Sequence, residues 1–591
     1  MSDSVSKVVG VAQSATGRAW VRRLGPAEER TALALAQRHD LPDIAAKVLA
    51  ARGVTLENAE AELRPTIRAL LPDPSTLTDC DALVARVANA IANAERITLF
   101  ADYDVDGATS AAVVARVLAA YGASPRIKVP DRVSDGYGPS VALMEALAAD
   151  TDLVVCLDCG AGAVEPVAAA KARGIDVLVI DHHPVDHLAP ADAIVNPNRV
   201  DDLSGLGACA AVGVAFVVMV GLVRHMRRLG HGNGPDLMHL LDCVALGTVA
   251  DVVPLVALNR AFVRGGLRAF AERSNKGLGA LTASARIGGP VDAGHLGYVI
   301  GPRINAGGRI GDSGLGARLL VSEDDGEVEE IAALLERLNQ ERRAIEARAL
   351  EEAVAMADGN AAVIVVAGDW HPGVVGLVAA RLKERFRRPA VAIALSGHEG
   401  VGSGRSIKGV DLGAAIRGAA ADGLLIKGGG HAMAAGLTVA SDNIEALRAD
   451  LATRLGPEVE AGIAADALCV DAVVGLGALT EALAHTLSSY GPWGAGRAKP
   501  LFALEAVVVD DAQPVGAGDS LRLSLRAQDG TRTRAMAFRA GGALGARLRS
   551  SRGETIHLAV ELSHSVFRGE PRAEIIVVDA AEATGALRRA A

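Results

Sequence analysis

Aromatic side chains are scarce in this 591-residue chain, at 3% of positions, and, glycine not counted as apolar, no run of 18 or more uninterrupted apolar residues occurs. The second absence leaves no membrane span to expect. The first limits stacking as a means of holding a partner. The opening MSDSVSKVVG has no long apolar stretch with a positive flank, so no secretory signal is expected and the protein is expected in the cytoplasm. Cysteine is sparse and scattered: Cys80, Cys156, Cys159, Cys209, Cys243 and Cys469. Only Cys156 and Cys159 form a CxxC, and without a second pair they complete no zinc site. They read as small, buried, reduced thiols at a strand end, with a redox role as the alternative. An excess of basic residues is also missing. The formal net charge of −10 argues weakly against a nucleic-acid partner. It does not exclude one, because carboxylates that hold metals inflate the count. Local basic runs exist at Arg381, Lys383, Arg385, Arg387 and Arg388, and at Arg547, Arg549 and Arg552.

Half of the residues are apolar and 22% are charged, the composition of a globular chain, and its length implies about three or four domains. Residues 1–18 are small and polar and read as a disordered tail. A helical N-terminal region follows at 19–80, with patterns at 27–38, 42–52 and 56–63 broken by Pro65, Pro72 and Pro74. Over 81–322, apolar runs at 97–100, 153–157, 177–180 and 193–195 alternate with amphipathic stretches at 110–121, 141–149 and 164–173. That alternation predicts a mostly parallel sheet with helices on both faces. Ligands on such sheets bind beyond the carboxyl ends of the strands. A charged helical stretch at 323–358 would be roughly 50 Å long if unbroken and reads as a connector. A second α/β unit spans 359–456, with strands at 362–366 and 390–394, a helix at 374–385, and glycine-rich turns at 400–405 and 428–436. In 457–591, five short strands (504–509, 520–526, 533–538, 556–563, 573–578) predict a small OB-like barrel.

The chemistry collects at the strand ends of the first sheet. Asp102, Asp104 and Asp106 follow the first strand, with Gly107 allowing a tight turn into a helix near Ser110. Asp158 closes the second strand, and Asp181, His182 and His183 close the third. All three clusters therefore fall at one edge. A lone histidine is more often a satisfied structural residue than a ligand. Packing, however, gives no reason to crowd so many carboxylates, since like charges repel unless a cation offsets them. Carboxylates with imidazole suit Mn²⁺, and carboxylate-rich sites suit Mg²⁺. Five or six such ligands suffice for two ions about 3.5–4 Å apart, the arrangement used for in-line phosphoryl displacement.

ADYDVDGATS, the Asp158 strand end, the Asp-His-His at 181–183 and ALGTVADVVPL around Asp251 resemble, in order, the four motifs of the DHH phosphoesterases. The resemblance implies metal ligation by Asp104, Asp106, Asp158, His182 and Asp251, with Asp158 bridging two divalent cations. It implies His183 as proton donor or phosphate contact and Asp102 as a supporting residue or ligand. GGGHAMAAG at 428–436 looks like the DHH-associated substrate-binding domain. GPRINAGGRI at 301–310, DWHPGVVG at 369–376 and GSGRSIKGVDL at 402–412 are similar to motifs of the RecJ family in particular. By that similarity Arg309, Ser403 and Arg405 would hold a 5′-terminal phosphate and His431 a phosphate nearer the metals. Asn305, Gly429 and Gly430 are further motif positions. Glycine-rich turns expose backbone N–H groups to anions, and arginine gives forked bonds to phosphate oxygens; taken singly, each such stretch is as well read as an ordinary turn. His371 is left without a role. YGPWGAGRAKPLF at 490–502 resembles the segment leading into the family's OB domain, but Arg497-Ala498 stand where Asn-Pro is usual, which puts the loop in question.

The resemblance runs from about Trp20 to the C-terminus. It implies a processive 5′-to-3′ exonuclease that degrades single-stranded DNA to mononucleotides, with Mn²⁺ (or Mg²⁺) as cofactor. A monomer is expected, with single-stranded DNA and a single-strand DNA-binding protein as partners. One alternative is a small DHH phosphodiesterase acting on cyclic dinucleotides or oligoribonucleotides, against which the extra barrel argues. The other is a non-catalytic DNA-binding scaffold, against which the complete ligand set argues.

Overall fold

The computed structural model describes residues 7–132, 134–272, 275–516, 520–567 and 570–583. It divides into two compact units, one of Met1–Leu70, Leu255–Arg260 and Asp466–Ala591, the other of Leu71–Pro254 and Ala261–Ala465. No helix among the described residues is long and apolar enough to cross a membrane.

The second unit opens with five parallel strands: β1 (Ile97–Ala101), β2 (Arg126–Lys128), β3 (Leu153–Leu157), β4 (Asp176–Ile180) and β5 (Ala193–Val195), ordered β2-β1-β3-β4-β5. Every residue of β1, β3 and β5 is buried, as continuous apolar runs covered on both faces require. Ala101 pairs with Leu157, Leu157 with Ile180, and Ile180 with Val195. The strands thus end level, and the next residues in line are Asp102, Asp158, Asp181 and Asn196. Helix α1 (Val105–Ala120) begins earlier than the sequence pattern implied, because Asp104 caps it by accepting from the N–H groups of Asp106 and Gly107. Gly107 therefore serves not as a turn but as a close approach: a Cβ there would lie 2.3 Å from the Asp102 carbonyl oxygen. The helices that build the rest of the site are α2 (Ala211–Arg228), α3 (Leu241–Ala250) and α4 (Gly301–Ile310).

Helix α5 (Asp325–Met356) occupies the expected connector. Its buried stripe passes through Val328, Ile331, Leu335, Asn339, Arg342, Glu346, Ala349 and Ala353, one face at helical spacing. The polar members satisfy one another, Arg342 donating to Asn339 and Glu346. Leu335 and Leu338 of α5 pack beside Gly307 and Gly311, and Glu352 accepts from the Trp370 indole.

The second sheet comprises β6 (Ile364–Gly368), β7 (Ala390–Ser396), β8 (Glu399–Arg405), β9 (Lys427–His431) and β10 (Ala434–Ala440), ordered β9-β10-β8-β7-β6. Only β6–β7 is parallel. The two stretches expected as glycine-rich turns are strands β8, β9 and β10. The reason lies in the period of two: Gly400, Gly402 and Gly404 share one face. A Cβ at these positions would lie 2.5 Å from Ile393, 2.9 Å from Leu437 and 2.6 Å from Leu412. Large neighbours fill the space that the missing side chains leave. Helix α6 (Pro372–Phe386) joins β6 to β7.

In the first unit, β11 (Ala472–Val474), β12 (Leu501–Val515), β13 (Ser520–Arg526), β14 (Arg532–Ala537), β15 (Thr555–Phe567) and β16 (Glu570–Glu582) form one sheet. Pairing of β12 with β15 closes the last five into a barrel, the OB-like architecture expected. The expected tail divides. Residues 1–6 lie outside the described residues, but 7–18 are folded, with Val8 and Val11 buried. Their small polar side chains have a use: Ser14, Thr16 and the Trp20 indole all donate to the fully buried Asp579. Arg497, the departure from the usual pattern, is buried and pairs with Glu62, which also takes Arg260. Arg52 donates to the Ala498 carbonyl. The loop is anchored by charge rather than by proline.

Candidate active site

At the level strand ends the donors face one another in three overlapping groups, Asp106-His182-Asp251, Asp102-Asp104-Asp158 and Asp158-His182-His183, with donor atoms in each group within 4.8 Å. His182 Nε2 stands 3.9 Å from Asp106, 3.4 Å from Asp158 and 3.6 Å from Asp251, so Asp158 and His182 link the groups. Each donor is aimed by backbone. The Asp106 carboxylate accepts from Ala211 and Val212 N–H, the N-terminus of α2. Asp251 is the C-cap of α3. His182 Nδ1 lies 3.1 Å from the Cys209 carbonyl. A carbonyl only accepts, so Nδ1 carries the proton and Nε2 keeps its lone pair for the site. Asn198 and Asn196 donate to the carbonyls of His182 and His183 and lock that turn. Asp158 is held at φ 61°, a left-handed conformation that costs an ordinary residue about 1–3 kcal/mol.

Asp181 is occupied differently. Its Oδ1 accepts from His182 N–H, His183 N–H and His183 Nδ1, and its Oδ2 from Ala161 N–H. It organises the turn. Burial raises its carboxyl, but the His183 contact and the backbone bonds prevail and hold it below the usual range.

The electrostatics describe a site built for cations. Burial, then the neighbouring carboxylates, push Asp102, Asp106 and Asp158 well above the ordinary carboxylate range. Burial and Asp104 push Asp251 up to about 7. Burial, reinforced by His183, lowers His182 to about 4. Burial also acts to lower His183, but Asp181 outweighs it and the net direction is up. Asp102 Oδ1, Asp158 Oδ1 and His182 Nε2 are buried without a hydrogen-bond partner among the described residues. Such orphans are costly in a protein interior, and a pair of divalent cations fits them and the mixed O/N donor set. Cys156 and Cys159 are both buried and unpaired with each other. Burial pushes the Cys156 thiol up to about 12 and Cys159 well above its ordinary value. They are packed thiols, as the sequence pattern predicts.

A second locus lies in the same unit at the start of α6. Arg309, at the end of α4, donates to the Gly373 carbonyl, and Arg405 of β8 donates to Ser403 Oγ. A Cβ on Gly376 would lie 3.1 Å from both Ser403 Oγ and Arg405 Nη2, so a bare glycine lets the pair reach the helix. His371 proves to be the N-cap of α6. Burial and the charges of Arg132, Arg342 and Arg405 lower Arg309 to about 9, and burial with Arg132 lowers Arg405. Guanidiniums crowded together at a helix N-terminus have the charge and donors to suit an anion. Asn305 is half-buried on α4. Gly429 and Gly430 lie on β9, Gly429 with open space above its Cα and Gly430 at φ 141°. His431, at the end of β9, is exposed and lines a cavity of about 410 Å³ with Tyr137, Asp181 and His183.

Sequence reasoning missed Tyr137 and Arg132. The Tyr137 hydroxyl donates to the Asp158 carbonyl and lies 3.1 Å from His183 Nδ1. Arg132 stacks on Tyr103, its guanidinium 4.6 Å from the ring centre. The one local signal was the placing of Tyr137 between Gly136 and Gly138, both at positive φ.

Family models match three segments: the DHH family N-terminal domain over residues 96–248, the DHHA1 domain over 358–456 and the RecJ OB domain over 470–579. The single-stranded-DNA-specific exonuclease RecJ of Dickeya dadantii is 38% identical over 484 residues, covering 78% of this chain and 83% of that protein. The Escherichia coli exonuclease of the same name is 34% identical over 574 residues, covering 91% and 96%. The crystal structure of RecJ with Mn²⁺ from Thermus thermophilus superposes with a TM-score of 0.77 at 29% identity, over 95% of this chain and 78% of that one. A Mg²⁺ complex of RecJ from that organism matches with a TM-score of 0.72. With relatives this similar along nearly its whole length, the chain belongs to the RecJ family.

Proposed function

We propose that this protein is a 5′-to-3′ exonuclease that removes 5′-mononucleotides from single-stranded DNA. The observation that carries the reading is the pairing, within one unit, of the linked donor groups around Asp158 and His182 with the arginine-lined anion site at the start of α6. The relatives named as single-stranded-DNA-specific exonucleases support it, and those crystallised with Mn²⁺ and Mg²⁺ support these cations as cofactors, Mn²⁺ first. Asp104, Asp106, Asp158, His182 and Asp251 are the proposed metal ligands, with Asp102 beside them as support or ligand. When bound, two such ions neutralise phosphate charge and lower the pKa of water for in-line displacement.

The chain's own groups do the rest. Arg309, Arg405 and Ser403 hold the terminal 5′-phosphate and so set polarity. His431 steadies a phosphate at the cavity mouth. His183, its imidazolium favoured by Asp181, passes a proton to the leaving 3′-oxygen. The barrel, rich in Arg522, Arg532 and Arg534, adds backbone contacts. The domain division at 81–322, 359–456 and 457–591 belongs to this proposal, as do a monomeric state, a cytoplasmic location and a single-strand DNA-binding protein as partner.

The test is degradation of 3′-labelled single-stranded DNA with Mn²⁺, comparing the parent with Asp158→Ala. Stepwise shortening from the 5′ end, lost by at least ~10³-fold in the variant, supports site and polarity together. Binding without cleavage by the parent would favour a scaffold. Activity confined to dinucleotides would favour a small phosphodiesterase.

A further inference from the structure

Outside the strand-end site, the described residues bring one more set of imidazoles and a carboxylate within reach of a shared ion: Glu481, His485 and His564. Glu481 and His485 stand one turn apart on helix α7 (Glu481–Ser489), so their side chains share a face. That helix packs on β15 and β16 of the barrel, and His564 projects from β15. Glu481 Oε1 lies 3.2 Å from His564 Nε2. The rings of His485 and His564 meet edge to face with centroids 5.2 Å apart. All three donor atoms fall within 4.8 Å of one another.

Ligands about 2.0–2.2 Å from a tetrahedral ion stand about 3.3–3.6 Å apart, so the trio needs only a small contraction. His485 is exposed and the Glu481 side chain is 44% accessible, which leaves both free to rotate inward without disturbing the core. Glu481 already reaches His564, and an ion held among the three donors joins His485 to that pair. Two nitrogens and one oxygen select a borderline transition metal over Mg²⁺ or Ca²⁺, which prefer all-oxygen shells. The strand-end site has a larger share of carboxylates, which suits Mn²⁺ and Mg²⁺.

We propose that Glu481, His485 and His564 form a separate site for a zinc-class ion, which clips α7 to the barrel and leaves a coordination position open to solvent. Each neutral imidazole binds through its free lone pair, so the step requires no redox partner.

The test uses the full chain carrying Asp106→Ala and Asp158→Ala to disable the other site, stripped with chelator and dialysed against Zn²⁺. One zinc per chain is expected, and none after His485→Ala is added. Zinc content unchanged by His485→Ala, or no zinc in either protein, overturns the proposal. Should the background variant fail to fold, the parent serves: His485→Ala alone is expected to lower bound zinc by one equivalent while Mn²⁺-dependent nuclease activity stays at the parent level. Retention of the full zinc count there also overturns it.

Discussion

At the residue scale, Asp158 pays twice for its position. It holds a left-handed backbone and buries an oxygen without a partner. Replacement by glycine relieves both penalties, about 1–3 kcal/mol from the backbone alone, against about 0.5–1 kcal/mol of added chain entropy. Asp158→Gly is therefore expected to make the metal-free protein more stable by about 1 kcal/mol in urea unfolding while lowering nuclease activity at least ~10³-fold. A metal-free variant less stable than its parent would show that the strain reading is wrong. The convergence of Asp102, Asp104, Asp106, Asp158 and His182 was readable in the sequence because level strand ends bring them together, whereas Asp251 came only with the family resemblance. Tyr137 and Arg132 were not readable, because a hydroxyl or guanidinium in a loop acquires its role only from what the fold sets beside it.

At the element scale, strand positions followed from apolar runs, and their type was legible wherever burial was complete. Glycine defeated that reading twice. In β8, residues 400, 402 and 404 lack side chains because Ile393, Leu412 and Leu437 occupy the space, a tertiary cause that a local pattern of glycines does not reveal. At the start of α1, Gly107 permits contact with the Asp102 backbone. The two roles of glycine predict opposite outcomes. Gly107→Ala drives a Cβ into a backbone oxygen that cannot yield, and should cost at least about 1–3 kcal/mol. Activity should fall with it, since Asp104 and Asp106 move. Gly429→Ala meets open space at an ordinary φ, and should leave the unfolding midpoint within about 0.5 kcal/mol of the parent while weakening DNA binding. Equal destabilisation by the two substitutions, measured by chemical denaturation, would remove the distinction. The three-residue strand β2 was missed for a simpler reason: Arg126-Ile127-Lys128 is a polar sheet edge with one apolar residue.

At the scale of the whole molecule, the buried carboxylates couple metal, pH and stability. In the metal-free fold Asp102, Asp106 and Asp158 are raised well above 3.8 and Asp251 to about 7. The unfolded chain releases these protons near pH ~4. Between those limits the folded state binds more protons than the unfolded one, so stability falls as pH rises. His183, raised above 6.5, acts in the same sense. His182, lowered to about 4, opposes it, but only below the unfolded histidine value, so above pH 6.5 the raised carboxylates and His183 act in one sense. Bound cations take the place of the protons, and their stabilisation must therefore grow as the protons become harder to keep. The chelator-treated protein should lose unfolding temperature from pH 6.5 to 8, and added Mn²⁺ should restore more of it at pH 8 than at 6.5. Exposed ion pairs such as Arg96–Asp152 contribute little and titrate far below this window. A Mn²⁺ shift that is constant or shrinks with rising pH would mean that the strand-end carboxylates are not where the ions bind.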